Sequence, residues 1–307
     1  MSILTKGQIS PKHSAFRPEG VFSGVLLVSD MDGTLLDSNE QVSPENILAL
    51  NYFVAEGGLF TVATGRMLAS VQPYFSYLPI NAPAILYNGA LIYNFRTRES
   101  IASSILSVSI RDAVSAISHR FPGLGIEVYT VNGDVYPLVE NDYIYRHLQL
   151  ENIEFSCDSS CIKEDWLKVV LYFKPDLIAE LEQCLKQIEP GVTIVRSALH
   201  SLDLMPIQVS KGSAIDILVH HLGVQFSNVL AVGDNLNDLE MLQRVRNSFA
   251  VDNGHLEAKN AARYVCPHHD NHAIAEIIYW CRDTYLNKGA TRKNENILEI
   301  KGGQYVV

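Results

Sequence analysis

Continuously apolar segments alternate with amphipathic segments in the first part of the chain. The run from Val25 to Val28 contains no polar residue and has β-branched residues at both ends, which is typical of a strand buried on both faces. A helix is predicted to begin at Ser43, because this N-cap serine is followed by a proline and a glutamate, and to end at the glycines at positions 57 and 58. The apolar run 59–63 predicts the next strand. A strand, a helix and a strand in this order favour a parallel sheet with crossover helices.

The same order of elements returns near the C-terminal end, whereas the middle of the chain has a different pattern. A buried strand is predicted at 228–232 between two helices at 213–221 and 237–245, and a last helix is predicted at 273–285. In the middle, alternating apolar and polar residues flank an Asn-Gly pair at 132–133, which is a hairpin turn signal. The other elements of this middle part are predicted as strands at 167–173 and 192–204 and helices at 110–119 and 176–188.

These patterns predict an α/β fold, with a Rossmann-like, doubly wound parallel sheet core and an inserted α+β module. The core is assigned to residues 21–92 and 205–286, and the inserted module to residues 93–204. Residues 1–20 and 287–307 are mostly polar and are predicted to be flexible tails. Two structural units agree with the length of the chain, because a domain averages roughly 150 residues.

The charge balance and the cysteine pattern exclude several classes of protein. A net charge of −10 argues against a nucleic-acid-binding protein and against a polybasic membrane-surface protein. No apolar run reaches the roughly 18–20 residues that span a bilayer, and residues 1–20 lack the apolar core of a secretory signal. Five scattered cysteines favour a reducing compartment over a disulfide framework, so we expect a cytoplasmic protein. They are Cys157, Cys161, Cys184, Cys266 and Cys281.

Polar or acidic residues follow each strand predicted for the core. Asp30 and Asp32 follow the first strand, Thr-Gly-Arg at 64–66 follows the second, Asn88 follows a third at 84–87, and an acidic segment at 234–238 follows the late strand. Asp, Asn and Gly are common turn formers, which explains any one of these strand ends but not all four together. Because ligands bind at the carboxyl ends of parallel strands, we expect these residues to form one site.

Several carboxylates at one edge of a sheet require a neutralising partner. Two carboxylates about 4 Å apart repel by roughly 4 kcal/mol at an effective dielectric near 20, so a cation or a proton must accompany Asp30, Asp32 and Asp234. Oxygen ligands without a nearby cysteine or histidine pattern favour Mg²⁺ over zinc. The same edge offers a hydroxyl donor and two cations, which are Thr64, Arg66 and Lys211. This combination suits phosphoryl transfer, whose transition state spreads negative charge over the equatorial oxygens.

Four segments resemble, in order and spacing, the four motifs of the haloacid dehalogenase superfamily. They are Asp-Met-Asp-Gly-Thr-Leu-Leu at 30–36, Thr-Gly-Arg at 64–66, Lys-Gly at 211–212 and Gly-Asp-Asn-Leu-Asn-Asp at 233–238. The Asn-Gly pair at 88–89 and the large insertion between the second and third motifs are similar to the Cof-type branch with a type IIB cap, a sugar-phosphatase-like group. The resemblance covers roughly residues 24–286. One departure is His272, where the family often has glycine.

The resemblance implies a role for each matched residue. Asp30 would attack phosphorus as the nucleophile, and Asp32 would protonate the leaving oxygen and then deprotonate water. Mg²⁺ would be held by the carboxylates of Asp30 and Asp234 and the backbone carbonyl of Asp32, with Asp238 as an outer-shell or additional ligand. For Arg66, a surface cation and a substrate ligand are equal alternatives. The residues expected to bind the phosphoryl group or the substrate are Thr64, Gly65, Arg66, Asn88, Lys211 and Asn237.

The function expected from these residues and this resemblance is that of a Mg²⁺-dependent phosphatase of small phosphorylated metabolites, above all sugar phosphates, acting through an aspartyl-phosphate. A phosphotransferase or mutase would use the same groups, and a receiver-like signalling protein would also hold a phospho-aspartate beside Asp, Thr and Lys. The second acid, Asp32, and the inserted module argue against the receiver. A dinucleotide-binding protein is disfavoured because no Gly-x-Gly-x-x-Gly follows the first strand. The expected partner is a small phosphate ester, with no nucleic acid and no membrane.

Overall fold

The computed structural model describes residues 20–150, 162–186, 191–286 and 297–299. The strands in these ranges are β1 (Leu26–Ser29), β2 (Leu59–Val62), β3 (Ala84–Leu86), β4 (Leu91–Asn94), β5 (Glu99–Ser103), β6 (Gly125–Thr130), β7 (Val135–Val139), β8 (Trp166–Tyr172), β9 (Val192–Ala198), β10 (Ser201–Pro206), β11 (Val229–Gly233), β12 (Asn247–Val251), β13 (Tyr264–Cys266) and β14 (Leu298–Glu299). The helices are α1 (Pro44–Ala55), α2 (Leu68–Val71), α3 (Val108–Arg120), α4 (Asp142–Leu150), α5 (Ile178–Leu185), α6 (Lys211–Leu222), α7 (Leu239–Arg244), α8 (Leu256–Ala261) and α9 (Ala273–Leu286).

A six-stranded sheet forms the centre of the fold, in the order β14-β13-β12-β11-β1-β2. All neighbours in it are parallel except β13 and β14. Leu27 of β1 belongs to the apolar cluster with α1 and α9 on one face, whereas Leu26 and Val28 belong to the cluster with α6 and α7 on the other. Both faces of the strand are therefore buried, as its continuous apolar run requires. The predicted α/β fold with a parallel core sheet is confirmed.

The register of this sheet brings the predicted strand ends together. The central strand β1 lies between β11 and β2, and Ser29 pairs with Val232 on one side and Val62 on the other. The residues that follow these three strands therefore leave the sheet at the same edge. Helix α6 begins at Lys211 with Ser210 as its N-cap, and Ser210 and Ser213 form a reciprocal capping box that fixes the first turn.

The third predicted strand differs from the expectation of a parallel neighbour. β3 belongs to a separate three-stranded antiparallel sheet with β4 and β5, and an isolated parallel bridge between Ala63 and Ile85 pairs it with the chain after β2. The chain still delivers Asn88 to the same edge, because this residue follows β3 directly. The boundary predicted near residue 93 falls inside β4, and the one near 204 falls inside β10.

A five-stranded antiparallel sheet, in the order β7-β6-β8-β10-β9, occupies most of the middle of the chain. The strand predicted at 192–204 is a hairpin of two strands, and α4 was not predicted at all. One face of the sheet packs against α3 and α5 through an apolar cluster that includes Val128, Val169 and Leu204. The opposite face carries polar residues in these same strands, which become relevant to the site described below.

The structure differs from the tail predicted at 287–307 at residues 297–299, and the remainder of that range lies outside the described residues. Residues 298–299 form β14, which pairs antiparallel with β13, and Ile297 is buried in the core cluster. The tail predicted at 1–20 lies outside the described residues except for Gly20, as do Cys157 and Cys161. Among the residues described, no helix is long and apolar enough to span a bilayer.

Candidate active site

Asp30 lies at the centre of the site, directly after β1. Its backbone N–H donates a hydrogen bond to the Val232 carbonyl at 2.9 Å, which extends the pairing of β1 with β11 by one residue. A tight turn at 31–35 follows, in which Gly33 has a φ of +72°. A Cβ atom on Gly33 would lie 2.7 Å from Oδ2 of Asp234, so only glycine allows the turn to approach this carboxylate. The turn therefore presents Asp30 beside Asp234.

Lys211 is fully buried beneath this carboxylate edge. Its Nζ lies 2.5 Å from Oδ1 of Asp30 and 2.8 Å from Oδ1 of Asp238. The other oxygen of Asp238 accepts the backbone N–H groups of Asp234 and Asn235, both at 3.0 Å. Asp238 therefore holds the ammonium group and closes the loop after β11 at the same time. Because both of its carboxylate oxygens are engaged, Asp238 fixes the positions of Lys211 and of the backbone at 234–235.

The carboxylate edge carries more negative charge than Lys211 neutralises. Burial raises the pKa of Asp30 well above its usual value, and the neighbouring Asp238 and Asp234 raise it further, against the opposing effect of Lys211. Burial and Asp238 also raise the pKa of Asp234 to about 6. For Lys211, burial lowers the pKa, but the carboxylates of Asp238 and Asp30 outweigh it, so the net pKa lies above the ordinary value. The ammonium therefore stays charged, and the edge still lacks positive charge.

The donor set fits a hard divalent cation. Asp30, Asp234 and Asp238 each offer an oxygen atom, and these atoms lie within 4.8 Å of one another. All three donors are carboxylate oxygens, which Mg²⁺ prefers over nitrogen or sulfur ligands. The raised pKa values of Asp30 and Asp234 also favour a bound cation. Without one, protons would have to reduce the negative charge of these carboxylates.

The second and third strand ends contribute polar groups next to the carboxylates. Thr64 is fully buried, and its Oγ1 accepts the backbone N–H of Arg66 at 3.0 Å. The Arg66 guanidinium donates to Asp32 through Nε at 2.9 Å and Nη2 at 2.6 Å. The carboxamide oxygen of Asn88 accepts a hydrogen bond from Nδ2 of Asn237 at 3.1 Å, which joins the ends of β3 and β11. The structure thus brings these predicted residues together.

Gly65 and Asn88 require close backbone approach or unusual backbone angles. A Cβ atom on Gly65 would lie 3.1 Å from Oδ1 of Asn88, so a larger residue would push this carboxamide away. Asn88 itself has a φ of 53°, a left-handed conformation that asparagine tolerates better than most residues. His272 also has a left-handed backbone conformation, with a φ of 58°. Glycine adopts this conformation without steric cost, which explains why glycine suits this position.

A cavity of about 420 Å³ lies between the carboxyl edge of the core sheet and the polar face of the five-stranded sheet. The core residues that line it include Asp30, Asp32, Arg66, Asn88 and Asp234. Thr64, Lys211 and Asp238 lie buried behind this wall. Several lining residues come from the middle of the chain and were missed in the sequence, namely Tyr129, His147, Lys168, Arg196 and Asp203.

The wall opposite the aspartates is a buried polar network. Lys168 Nζ lies 2.6 Å from Oδ2 of Asp203. The buried Glu127 accepts the hydroxyl of Tyr129 at 2.6 Å, and His147 Nδ1 lies 3.2 Å from the same carboxylate oxygen. A sequence signal for this wall does exist. Glu127 and Asp203 each stand between two apolar residues of a strand, and an acidic residue at such a position needs a specific partner when it is buried.

Comparison with known proteins agrees with this geometry. Residues 27–278 match the family model of haloacid dehalogenase-like hydrolases. The chain belongs to this family. It is therefore an enzyme, a phosphatase of the haloacid dehalogenase superfamily, and the resemblance predicted from the four motifs is confirmed.

The relatives share the whole length of the fold. A Haemophilus influenzae protein named "Putative phosphatase" is 30% identical over 250 residues, which cover 81% of this chain and 95% of that protein. The HMP-PP phosphatase of Serratia proteamaculans is 27% identical over 278 residues, which cover 85% of this chain and 97% of that protein.

Solved structures of the superfamily have the same fold. A haloacid dehalogenase-like hydrolase from Bacteroides thetaiotaomicron superimposes with a TM-score of 0.77 at 23% identity, over 83% of this chain and 98% of that one. The subclass IIB sugar phosphatase BT4131 superimposes with a TM-score of 0.69 at 20% identity, over 83% of this chain and 98% of that one.

Proposed function

We propose that the protein is a Mg²⁺-dependent, cytoplasmic phosphatase that hydrolyses small phosphorylated metabolites, with sugar phosphates as the substrate class. The observation that carries this proposal is the placement of Asp30. Its carboxylate opens into the cavity and is held from behind by the buried ammonium of Lys211. A carboxylate fixed in this way beside a positive charge is a suitable nucleophile for a phosphoryl group.

In the first step, an oxygen of Asp30 forms a bond to phosphorus and the ester P–O bond breaks. The phosphoryl group passes to Asp30 as an aspartyl-phosphate, and the leaving alkoxide takes a proton from Asp32. Lys211 faces the phosphoryl oxygens from below and stabilises their negative charge, and Thr64 belongs to the same phosphoryl site.

In the second step, water attacks the phosphorus of the aspartyl-phosphate while Asp32 accepts its proton. The acyl phosphate P–O bond breaks, which releases inorganic phosphate and restores the Asp30 carboxylate. Arg66 acts as a positioning residue for Asp32, because the guanidinium holds both carboxylate oxygens of Asp32 through Nε and Nη2. Asp32 is half exposed to the cavity, so it can reach both the leaving oxygen and the water.

Asp30, Asp234 and the backbone carbonyl of Asp32 are proposed to hold Mg²⁺, with Asp238 behind them. When bound, Mg²⁺ would neutralise the excess carboxylate charge and the negative charge on the phosphoryl oxygens. Asn88 and Asn237 tie two strand ends together at the rim of the cavity and are proposed, with Gly65, to shape the phosphoryl site.

Sugar phosphates are supported by the opposite wall of the cavity. Its volume of about 420 Å³ is within the range of small-molecule sites, roughly 300–1,000 Å³. Lys168, Asp203 and His147 line the same cavity as Asp30 and offer the hydrogen-bond donors and acceptors that polyhydroxylated compounds require. The structural likeness to a subclass IIB sugar phosphatase agrees with this class. We propose that the module predicted at 93–204 supplies this specificity as a cap.

A screen of phosphorylated metabolites that measures phosphate release in the presence of Mg²⁺ tests the proposal. Sugar phosphates are expected to have the highest kcat/KM, and Asp203→Asn is expected to lower kcat/KM for them more than for a small aryl phosphate. A matched control is Asp252→Asn, which also breaks an ion pair with a lysine but stands outside the cavity lining. Transfer of the phosphoryl group to a second hydroxyl without phosphate release would favour the mutase instead.

A further inference from the structure

A cluster of two histidines and one aspartate lies outside the cavity described above. His268, His269 and Asp270 are adjacent in the chain, just before α9, and each offers one potential ligand atom. The three atoms lie within 4.8 Å of one another. The cluster has no residue in common with the aspartate edge formed by Asp30 and its neighbours.

We propose that His268, His269 and Asp270 form a second metal site, which takes a transition-metal ion of the Zn²⁺ class. Two imidazoles and one carboxylate are ligands that suit Zn²⁺ and neighbouring transition metals, whereas Mg²⁺ prefers oxygen ligands alone. The nitrogen and oxygen ligands make this site chemically distinct from the all-oxygen edge at Asp30.

Two nitrogen–oxygen distances in the cluster are close to the separation of neighbouring ligands around a tetrahedral ion. Nδ1 of His268 lies 3.6 Å from Oδ2 of Asp270, and Nε2 of His269 lies 3.7 Å from Oδ1 of Asp270. Ligands bound to Zn²⁺ at about 2.0–2.2 Å in a tetrahedron are separated by about 3.3–3.6 Å. Each nitrogen lies near a different oxygen of Asp270, so one ion would bind both oxygens or draw the side chains together around one of them. Binding also replaces the long contact of 3.3 Å between the Asp270 N–H and Nδ1 of His268.

The surroundings of the cluster fix the ligands in the orientation that a metal needs. Nδ1 of His269 lies 2.7 Å from the backbone carbonyl of Leu36, which can only accept a hydrogen bond. A neutral His269 therefore carries its proton on Nδ1, which leaves the lone pair of Nε2 as a potential ligand, 3.4 Å from Oγ of Ser38 and 3.7 Å from Oδ1 of Asp270. Asp270 accepts the backbone N–H and the hydroxyl of Ser38, both at 2.8 Å. Backbone carbonyl and hydroxyl partners of this kind are what orients ligands at metal sites.

The cluster is also tied to the turn that carries the nucleophile. Leu36 and Ser38 follow this turn directly, and Asn253 links the two by accepting the His269 N–H at 2.9 Å and donating to the Gly33 carbonyl at 2.7 Å. A bound ion would fasten the segment before α9 to the segment after Asp30. We therefore assign the site a stabilising role, separate from the phosphoryl chemistry.

Calorimetric titration of the full chain, without an added histidine tag and in excess Mg²⁺, tests the proposal with Zn²⁺ as the probe. This step rests on the proposed Mg²⁺ site: excess Mg²⁺ competes with Zn²⁺ for the aspartate edge, so the Zn²⁺ binding that remains is expected at the histidine cluster. His268→Gln is expected to weaken this binding at least about tenfold, which corresponds to about 1.4 kcal/mol. His268 is the ligand to change first, because its ring is well exposed and its removal leaves the bond from His269 to Leu36 in place.

A double variant, His220→Gln with His221→Gln, is the matched control, since it removes another adjacent, exposed histidine pair at the end of α6. It is expected to bind Zn²⁺ as the unaltered protein does. Zn²⁺ at about 100 times its Kd for the unaltered protein is expected to raise the melting temperature of that protein by about 5 °C, and that of His268→Gln by about half as much or less. The proposal is overturned if the unaltered protein binds no Zn²⁺ in excess Mg²⁺, or if His268→Gln and Asp270→Asn both keep its affinity.

Discussion

Replacing Lys211 by methionine keeps most of the side-chain volume and removes the buried ammonium group between Asp30 and Asp238. Coulomb's law at an effective dielectric of about 20 gives roughly 6 kcal/mol for each pair at N···O distances of 2.5 and 2.8 Å. The cost of burying the ammonium group offsets much of this attraction. Removing one partner of a buried ion pair typically costs about 3–5 kcal/mol, because the other charge stays behind.

We therefore expect Lys211→Met to lower the free energy of unfolding of the metal-free protein by about 3–5 kcal/mol near neutral pH. The loss should shrink in acid, because Lys211 lowers the pKa of Asp30 and its removal lets Asp30 be protonated in the folded state. Loss of a charged donor at the transferring phosphoryl group should also lower kcat by about 100-fold or more.

Urea unfolding at two pH values and steady-state phosphate release measure these effects. Lys259→Met is the control, because Lys259 is also largely buried and lies 3.2 Å from Asp252, outside the cavity lining. This control should keep its kcat. The reasoning is refuted if Lys211→Met unfolds at the same urea concentration as the unaltered protein and keeps kcat within a few-fold.

Three further predictions concern the metal ion, the pH and Arg66. A chelator should abolish phosphate release, Mg²⁺ should restore it and Ca²⁺ should restore it less, because Ca²⁺ accepts looser coordination; turnover in excess chelator would contradict the assignment. The pKa of Asp234 is raised to about 6, so the folded metal-free protein binds more protons at this group than the unfolded chain does. Asp234 therefore stabilises the fold below about pH 4, and this stabilisation is lost as the pH rises through about 6. Urea titrations should show this loss, and both Mg²⁺ and Asp234→Asn should remove it. Arg66→Lys should lower kcat more than it changes KM, and most for substrates with poor leaving groups, because an ammonium group cannot reproduce the two parallel hydrogen bonds of the guanidinium to Asp32. An equal loss for activated aryl phosphates would exclude the positioning role.

The core of the fold could be predicted from the sequence because its signals are local. The central strands β1 and β11 are largely continuous apolar runs that are followed by acidic residues, and the common edge follows from the rule that parallel strands share a carboxyl end. Asp30, Thr64 and Asp234 could therefore be placed together from the pattern alone. Asn88 reached the same edge although β3 belongs to an antiparallel sheet, because the connection after β3 is short.

The rest of the site depends on pairings between distant parts of the chain. Lys168 and Asp203 meet because β8 and β10 are antiparallel neighbours, and no local pattern fixes that register. The pairing of Arg66 with Asp32 depends on side-chain directions that spacing does not determine. The contact of Ser38 with Asp270 joins residues 232 positions apart, so the histidines beside it carry no recognisable signal in the sequence.

The central claim is that Asp30 becomes phosphorylated, and a direct measurement is acid quenching of the enzyme with a radiolabelled phosphate ester. In Asp32→Asn, which should transfer the phosphoryl group to Asp30 from an activated ester but hydrolyse the product slowly, label is expected to accumulate on the peptide that contains Asp30. Asp30→Asn should carry no label, because a carboxamide is a poor nucleophile. Label on Asp30→Asn, or turnover by that variant at the rate of the unaltered enzyme, would contradict the proposed mechanism.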